Sequence, residues 1–66
     1  MDVTVNGTSR SVPQEATVEW LVVKLLDRHP AGIAVAVNGT VVPPTSWRQT
    51  LSEGDRVELV MALQGG

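Results

Sequence analysis

Thr17-Val18-Glu19-Trp20-Leu21-Val22-Val23-Lys24-Leu25-Leu26-Asp27-Arg28 is the stretch whose reading decides the fold. Val18, Leu21, Val22, Leu25 and Leu26 recur at helical spacing and give one apolar stripe, while Glu19, Lys24, Asp27 and Arg28 fall elsewhere. The hydroxyl of Thr17 can accept from an exposed backbone N–H, so Thr17 is the expected N-cap. Glu19 in the first turn complements the helix dipole. Pro30 pushes His29 away from helical geometry, so the helix is expected to stop near Arg28, and Ala31-Gly32 continues the break. A lone helix with one apolar stripe needs a surface to lie on.

That surface is written on both sides of it. Upstream, Val3 and Val5 alternate with Thr4 and Asn6, the period of a half-buried strand. Asn6-Gly7 suits a tight hairpin, because both residues accept positive φ. Thr8 to Val12 then returns antiparallel until Pro13, which has no N–H to pair. Downstream, Ile33 to Asn38 is a strand with Ile33, Val35 and Val37 on one face and Ala34 and Ala36 on the other. Asn38-Gly39 repeats the hairpin signal, Thr40 to Val42 is a short return strand, and Pro43-Pro44 stops it. Ser46 is the expected cap of a single helical turn through Trp47 and Arg48, ending near Leu51. Glu53-Gly54-Asp55 reads as a turn. The last strand is expected from Arg56 to Leu63, with Val57, Leu59, Met61 and Leu63 alternating with Arg56, Glu58, Val60 and Ala62. The order β-β-α-β-β-β predicts an α+β fold: a mixed sheet of four to five strands with one main helix packed across one face. That is the outline of the β-grasp architecture.

The 66 residues allow one domain, expected over 1–66 with a flexible tail at 64–66. A chain this short hides only about 60% of its unfolded surface, which leaves little room for an enclosed active site. Cysteine is absent, so disulfides, thiolate nucleophiles and cysteine-ligated zinc are excluded. Five basic against seven acidic side chains, with no basic block, argue against a nucleic-acid partner. No basic-then-apolar leader opens the chain, and the apolar runs fall far short of the ~20 residues that span a bilayer. A cytoplasmic protein without membrane contact is expected.

Enzyme motifs are nearly absent. His29 is the only histidine, so no His pair can hold a metal, and its place beside Pro30 reads as a solvated helix terminus. No serine lies in G-x-S-x-G, and Gly54 stands alone rather than in a phosphate-cradling loop. Trp47 reads as packing over one end of the sheet. Trp20 lies off the main stripe and reads either as a flank of it or as a partner contact.

Gly65-Gly66 directly follows the last strand signal. A frayed terminus is one reading. The other is functional: without Cβ atoms, a diglycine tail can enter a narrow active site of another protein. The Gly66 carboxylate, ionised at neutral pH, is a poor electrophile. Transfer of AMP from ATP would give an acyl-adenylate, and a sulfur nucleophile could then displace AMP to leave a thiocarboxylate.

Six motifs carry a resemblance over nearly the whole chain. They are V-x-V-N-G of Val3 to Gly7, T-V-E-x-L of Thr17 to Leu21, A-V-A-V-N-G of Ala34 to Gly39, V-P-x-x-x-W of Val42 to Trp47, G-D-R-V-E-L of Gly54 to Leu59, and Q-G-G of Gln64 to Gly66. In order and spacing they resemble the ThiS-type sulfur carriers of thiamine (thiazole) biosynthesis, a ubiquitin-like β-grasp family. One departure is Pro44, where the family commonly carries Arg. The resemblance implies a carrier that is not itself an enzyme and binds no cofactor or metal. Gly66 would be the sulfur-carrying residue, with Gly65 and Gln64 as the tail. A ThiF-like adenylyltransferase would consume ATP to activate it, an upstream donor would supply sulfur, and thiazole synthase (ThiG) would receive it. The alternatives are the small subunit of molybdopterin synthase, a ubiquitin-like protein modifier, and a non-catalytic β-grasp interaction module. If Val57, Leu59 and Met61 point inward, Val60 and Ala62 share the opposite face with Ala34 and Ala36, giving a shallow apolar patch beside the tail as the expected partner-docking surface.

Overall fold

Two Asn-Gly pairs turn the chain back on itself. Asn6 and Gly7 have φ of 49° and 85°, and Asn38 and Gly39 have 52° and 85°. Positive φ at both central residues is what a tight type I′ hairpin demands. The first pair joins β1 (Asp2–Val5) to β2 (Thr8–Ser11), and the second joins β3 (Ile33–Val37) to β4 (Thr40–Val42), both antiparallel. β5 (Arg56–Met61) lies between the hairpins, parallel to β1 and antiparallel to β3. The five-stranded sheet runs β2-β1-β5-β3-β4, the mixed β-grasp sheet expected from the element order. The computed structural model describes residues 1–27 and 31–61. The expected strand residues Ala62 and Leu63 lie outside them.

The helix links the two hairpins. Thr17 is its N-cap, with Oγ1 accepting from the Trp20 N–H at 3.0 Å. α1 (Val18–Trp20) continues through Leu21–Leu25 in the wider π form, closed by the Leu26 N–H donating to the Leu21 carbonyl at 3.0 Å. This is shorter than the helix expected to reach Arg28. Leu26 is already turning out of the helix at φ −94° and ψ −7°, and Asp27 follows at φ 52°. Asp is among the few residues that tolerate this left-handed conformation, so the chain leaves the helix before Pro30 can act. The extra residue per turn also shifts the phase of the stripe. Val18, Leu21 and Val22 are buried, while Leu25 and Leu26 pack only at the margin of the core. Arg28, His29 and Pro30, including the expected solvated terminus at His29, lie outside the described residues.

The helix covers one face of the sheet. Val3 and Val5 of β1, Val35 of β3 and Val57 of β5 meet Val18, Leu21 and Val22 in a single apolar cluster. The segment after β4 closes one end. The helical turn there spans Pro44–Ser46, one turn of 3₁₀ helix, and Ser46 ends it rather than capping it. Pro44 at its first position explains the shift, because its fixed φ starts a turn and its missing N–H costs nothing there. Trp47 is buried as expected: its indole N–H donates to the Val42 carbonyl at 3.0 Å, and its own carbonyl accepts from the Glu19 N–H at 3.0 Å. The end of β4 is thereby tied to the start of the helix. Val12, Ala16 and Leu51 complete the core, with the Leu51 N–H donating to the Ala16 carbonyl at 2.7 Å.

Candidate functional site

β5 leads towards the tail, and it is held from both sides. The turn before it is set by Gly54 at φ 83° and by the Asp55 carboxylate, which accepts from the Ser52 N–H at 2.7 Å. On the β3 side, the Asn38 N–H donates to the Arg56 carbonyl at 2.7 Å, and Asn38 Oδ1 accepts from the Arg56 N–H at 2.9 Å. Asn38 Nδ2 donates in turn to Asp55 at 3.0 Å. On the β1 side, the Asn6 N–H donates to the Val57 carbonyl at 2.9 Å. Asn6 Oδ1 then accepts from the Leu59 N–H at 2.8 Å, and Asn6 Nδ2 donates to the Leu59 carbonyl at 3.4 Å. Both turn asparagines thus serve a second purpose as side-chain clamps on the central strand. The Asn-Gly signal gives the turn but not this contact, which depends on β5 lying between the hairpins.

The face of the sheet away from the helix is open. Ala34 pairs with Val60, while Ala36 pairs with Glu58 on one side and Val41 on the other, so these side chains share one surface. Val60 is 64% exposed and Val41 71%. Together with Ala34 and Ala36 they line a shallow, mostly apolar groove of about 200 Å³, with Glu58 at its side. Three of the four residues proposed for docking from sequence lie in it. Ala62, the fourth, lies outside the described residues, as do Gln64, Gly65 and Gly66. Val41 was missed. Its signal was available in the hairpin: a two-residue Asn-Gly loop sets Val41 opposite Ala36, and therefore on the same face. A second depression, on the helix, is lined by Thr17, Glu19, Trp20, Val23 and Lys24, and half-buried Trp20 forms part of its wall.

Among the described residues no three His, Asp or Glu side chains group closely enough to hold a metal ion, and no helix is long and apolar enough to cross a membrane.

A family model described as the ThiS family matches residues 3–66. The chain belongs to the ThiS family. A crystal structure of the thiamine biosynthesis protein ThiS from Geobacter metallireducens is similar to it over 100% of both chains, with 29% sequence identity and a TM-score of 0.84. A solution structure of a thiamine biosynthesis protein from the same organism covers 100% of this chain and 88% of its own, with 30% identity and a TM-score of 0.75. No curated protein matches the chain in sequence. For a ThiS chain, Pro44 stands inside the 3₁₀ turn as its first residue and is exposed. Proline at that place supports the local backbone.

Proposed function

We propose that the chain is a sulfur carrier of thiamine biosynthesis, acting in the cytoplasm, with the Gly66 carboxylate as the reacting group. The observation that carries this reading is the ThiS family match, which runs from Val3 through Gly66. The relatives described as thiamine biosynthesis proteins favour thiazole over molybdopterin as the destination of the sulfur.

A carboxylate oxygen of Gly66 attacks the α-phosphorus of ATP in the active site of a ThiF-like adenylyltransferase. The P–O bond to the β-phosphate breaks, and pyrophosphate leaves. The acyl-adenylate carbon is now electrophilic. A sulfide-level nucleophile from an upstream donor adds to it, and AMP departs with the electron pair of the C–O bond, leaving a thiocarboxylate. Thiazole synthase, ThiG, then takes up the sulfur. The carrier binds no cofactor or metal of its own, and the ATP is the partner's substrate. Gln64, Gly65 and Gly66 extend at most about 11 Å at ~3.6 Å per residue. A tail of that reach enters a buried site when its last residues lack side chains. The open sheet face, with Ala34, Ala36, Val60 and Ala62, is the proposed docking surface for the adenylating enzyme.

Deleting Gly66 is expected to abolish ATP–pyrophosphate exchange with the adenylating partner and the oxygen-to-sulfur mass change at the C-terminus, with the fold intact. Normal thiazole formation by the shortened chain would refute the carrier reading and leave an interaction module.

A further inference from the structure

We infer that Asn6-Gly7 is a site of spontaneous deamidation in the folded protein and that Asn38-Gly39, the same dipeptide, is protected by Asp55. Val5-Asn6-Gly7-Thr8 and Val37-Asn38-Gly39-Thr40 are the same four residues. Each forms the turn of a hairpin, with φ of 49° and 85° in the first and 52° and 85° in the second. The turn residues of both are exposed, and among the described residues nothing lies within 4 Å of the place a Cβ would take on either glycine. Sequence and turn geometry therefore give the two sites one intrinsic reactivity. The reaction is the one open to an Asn followed by a residue without a side chain. The Gly backbone nitrogen loses its proton to hydroxide and attacks the Asn Cγ. The N–Cγ bond forms, the Cγ–Nδ2 bond breaks, and Nδ2 leaves as ammonia with a proton from water. Water then opens the succinimide at either carbonyl, giving aspartate or an isoaspartyl linkage that adds a methylene to the backbone of the turn.

The two carboxamides differ in what holds them. Ring closure needs the carboxamide to turn from β5 to its own chain, so its hydrogen bonds to β5 and the turn before it set the fraction of time in which it can react. The oxygens are held alike, Asn6 Oδ1 by the Leu59 N–H at 2.8 Å and Asn38 Oδ1 by the Arg56 N–H at 2.9 Å. The nitrogens are not. Asn6 Nδ2 reaches the neutral Leu59 carbonyl at 3.4 Å, whereas Asn38 Nδ2 donates to the Asp55 carboxylate at 3.0 Å. A hydrogen bond to an ionised acceptor is roughly twice as strong as a neutral one. The Asp55 carboxylate is itself fixed, since its other oxygen accepts from the Ser52 N–H at 2.7 Å. Negative charge gathers on the carboxamide as the Gly nitrogen attacks, and a carboxylate beside it opposes that. Arg56 and Glu58, one charge of each sign, line the depression that Gly7 borders. The products differ as well. An aspartate at position 38 would set two carboxylates against each other across the 3.0 Å contact, whereas one at position 6 loses only a long bond to a carbonyl.

Both dipeptides are followed in the full-length protein during incubation in mildly alkaline buffer, by peptide mapping with mass detection and by isoaspartyl methyltransferase labelling. In concentrated urea the two sites are expected to react at one rate, faster than either does in the folded chain. In the folded protein Asn6 is expected to deamidate about tenfold faster than Asn38, the ratio given by one charge-assisted hydrogen bond in place of a neutral one. Asp55→Asn keeps an acceptor of the same shape without the charge. It is expected to bring Asn38 close to the rate of Asn6 and to leave Asn6 unchanged, with circular dichroism checking that the variant is folded. The parent comparison decides by itself should Asp55→Asn fold poorly. Equal rates in the folded parent, a faster Asn38, or an Asn6 that stays intact while the urea sample reacts to completion would overturn the assignment. An Asn38 rate unmoved in folded Asp55→Asn would overturn the protective role of Asp55. Unequal rates in urea would overturn the attribution of the difference to the fold.

Discussion

Val57 and Val60 lie in the same strand, and their surroundings have little in common. Val57 is 1% exposed under the helix, and Val60 is 64% exposed on the open face. Strand propensity rates the two positions alike. Side-chain parity separates them, together with the fact that a single helix covers one face of a two-faced sheet. On the covered face the apolar residues interlock with Val18, Leu21 and Val22. On the open face Val41 and Val60 stand over alanines in a continuous groove, where they contribute little to the core. Scattered exposed valines are ordinary, but a contiguous apolar patch on a small protein marks a surface suited to a partner. The covered face supports folding, and the open face is the proposed recognition surface.

The largest effect is expected where the covered face is most completely closed. Leu21 is 0% exposed. Leu21→Ala removes three heavy atoms from this site and should cost about 2–5 kcal/mol. A core this small supplies only about 3–5 kcal/mol in all, so the variant is expected to be largely unfolded by circular dichroism at room temperature. Leu25→Ala, at the margin of the core, should be distinctly milder. Equal losses at the two positions would show that the π turn does not shift the stripe as described. A smaller effect is expected at the end of the covered face. Trp47→Phe keeps an aromatic ring but leaves the Val42 carbonyl without its donor, and should cost about 1–3 kcal/mol in a denaturant titration. A neutral result would mean that water replaces the indole N–H at that carbonyl.

Much of this architecture was legible in the residues. The Asn-Gly pairs, the Thr17 cap and the alternation in β3 and β5 are local signals with local causes, and each hairpin formed where its turn chemistry placed it. The helix end was misjudged because Pro30 is an obvious breaker. Asp27 takes a positive φ of 52° and the chain leaves the helix there, ahead of the proline. The turn at Pro44–Ser46 was shifted for a related reason: Ser46 looked like a cap, but two consecutive prolines began the turn first. The open face was legible from parity alone for Ala34, Ala36 and Val60. The clamps by Asn6 and Asn38 were not, since they join residues far apart in sequence and become visible only once β5 is seen to run between the hairpins.

The smallest effect on stability, and the most informative for recognition, is expected at Val60. Its side chain faces solvent beside Ala34, with Glu58 and Val41 nearby on the same surface. A carboxylate placed there remains hydrated in the free protein, so Val60→Asp should change stability by no more than about 0.5 kcal/mol. In a docked complex the same carboxylate would be stripped of water against an apolar partner surface, and its desolvation would go uncompensated. Binding to the adenylating enzyme should therefore weaken by tenfold or more, on the order of 1.4 kcal/mol, while the melting temperature stays near that of the parent. Val41→Asp should behave in the same way if the groove is one continuous surface, and should be silent if docking is confined to the strand that leads into the tail. Two outcomes would break the comparison of the faces. If Val60→Asp unfolds the protein, Val60 belongs to the core and the register of β5 is off by one residue. If it binds the partner as tightly as the parent does, the open face is not the docking surface, and the apolar groove over Ala34 and Ala36 requires another explanation.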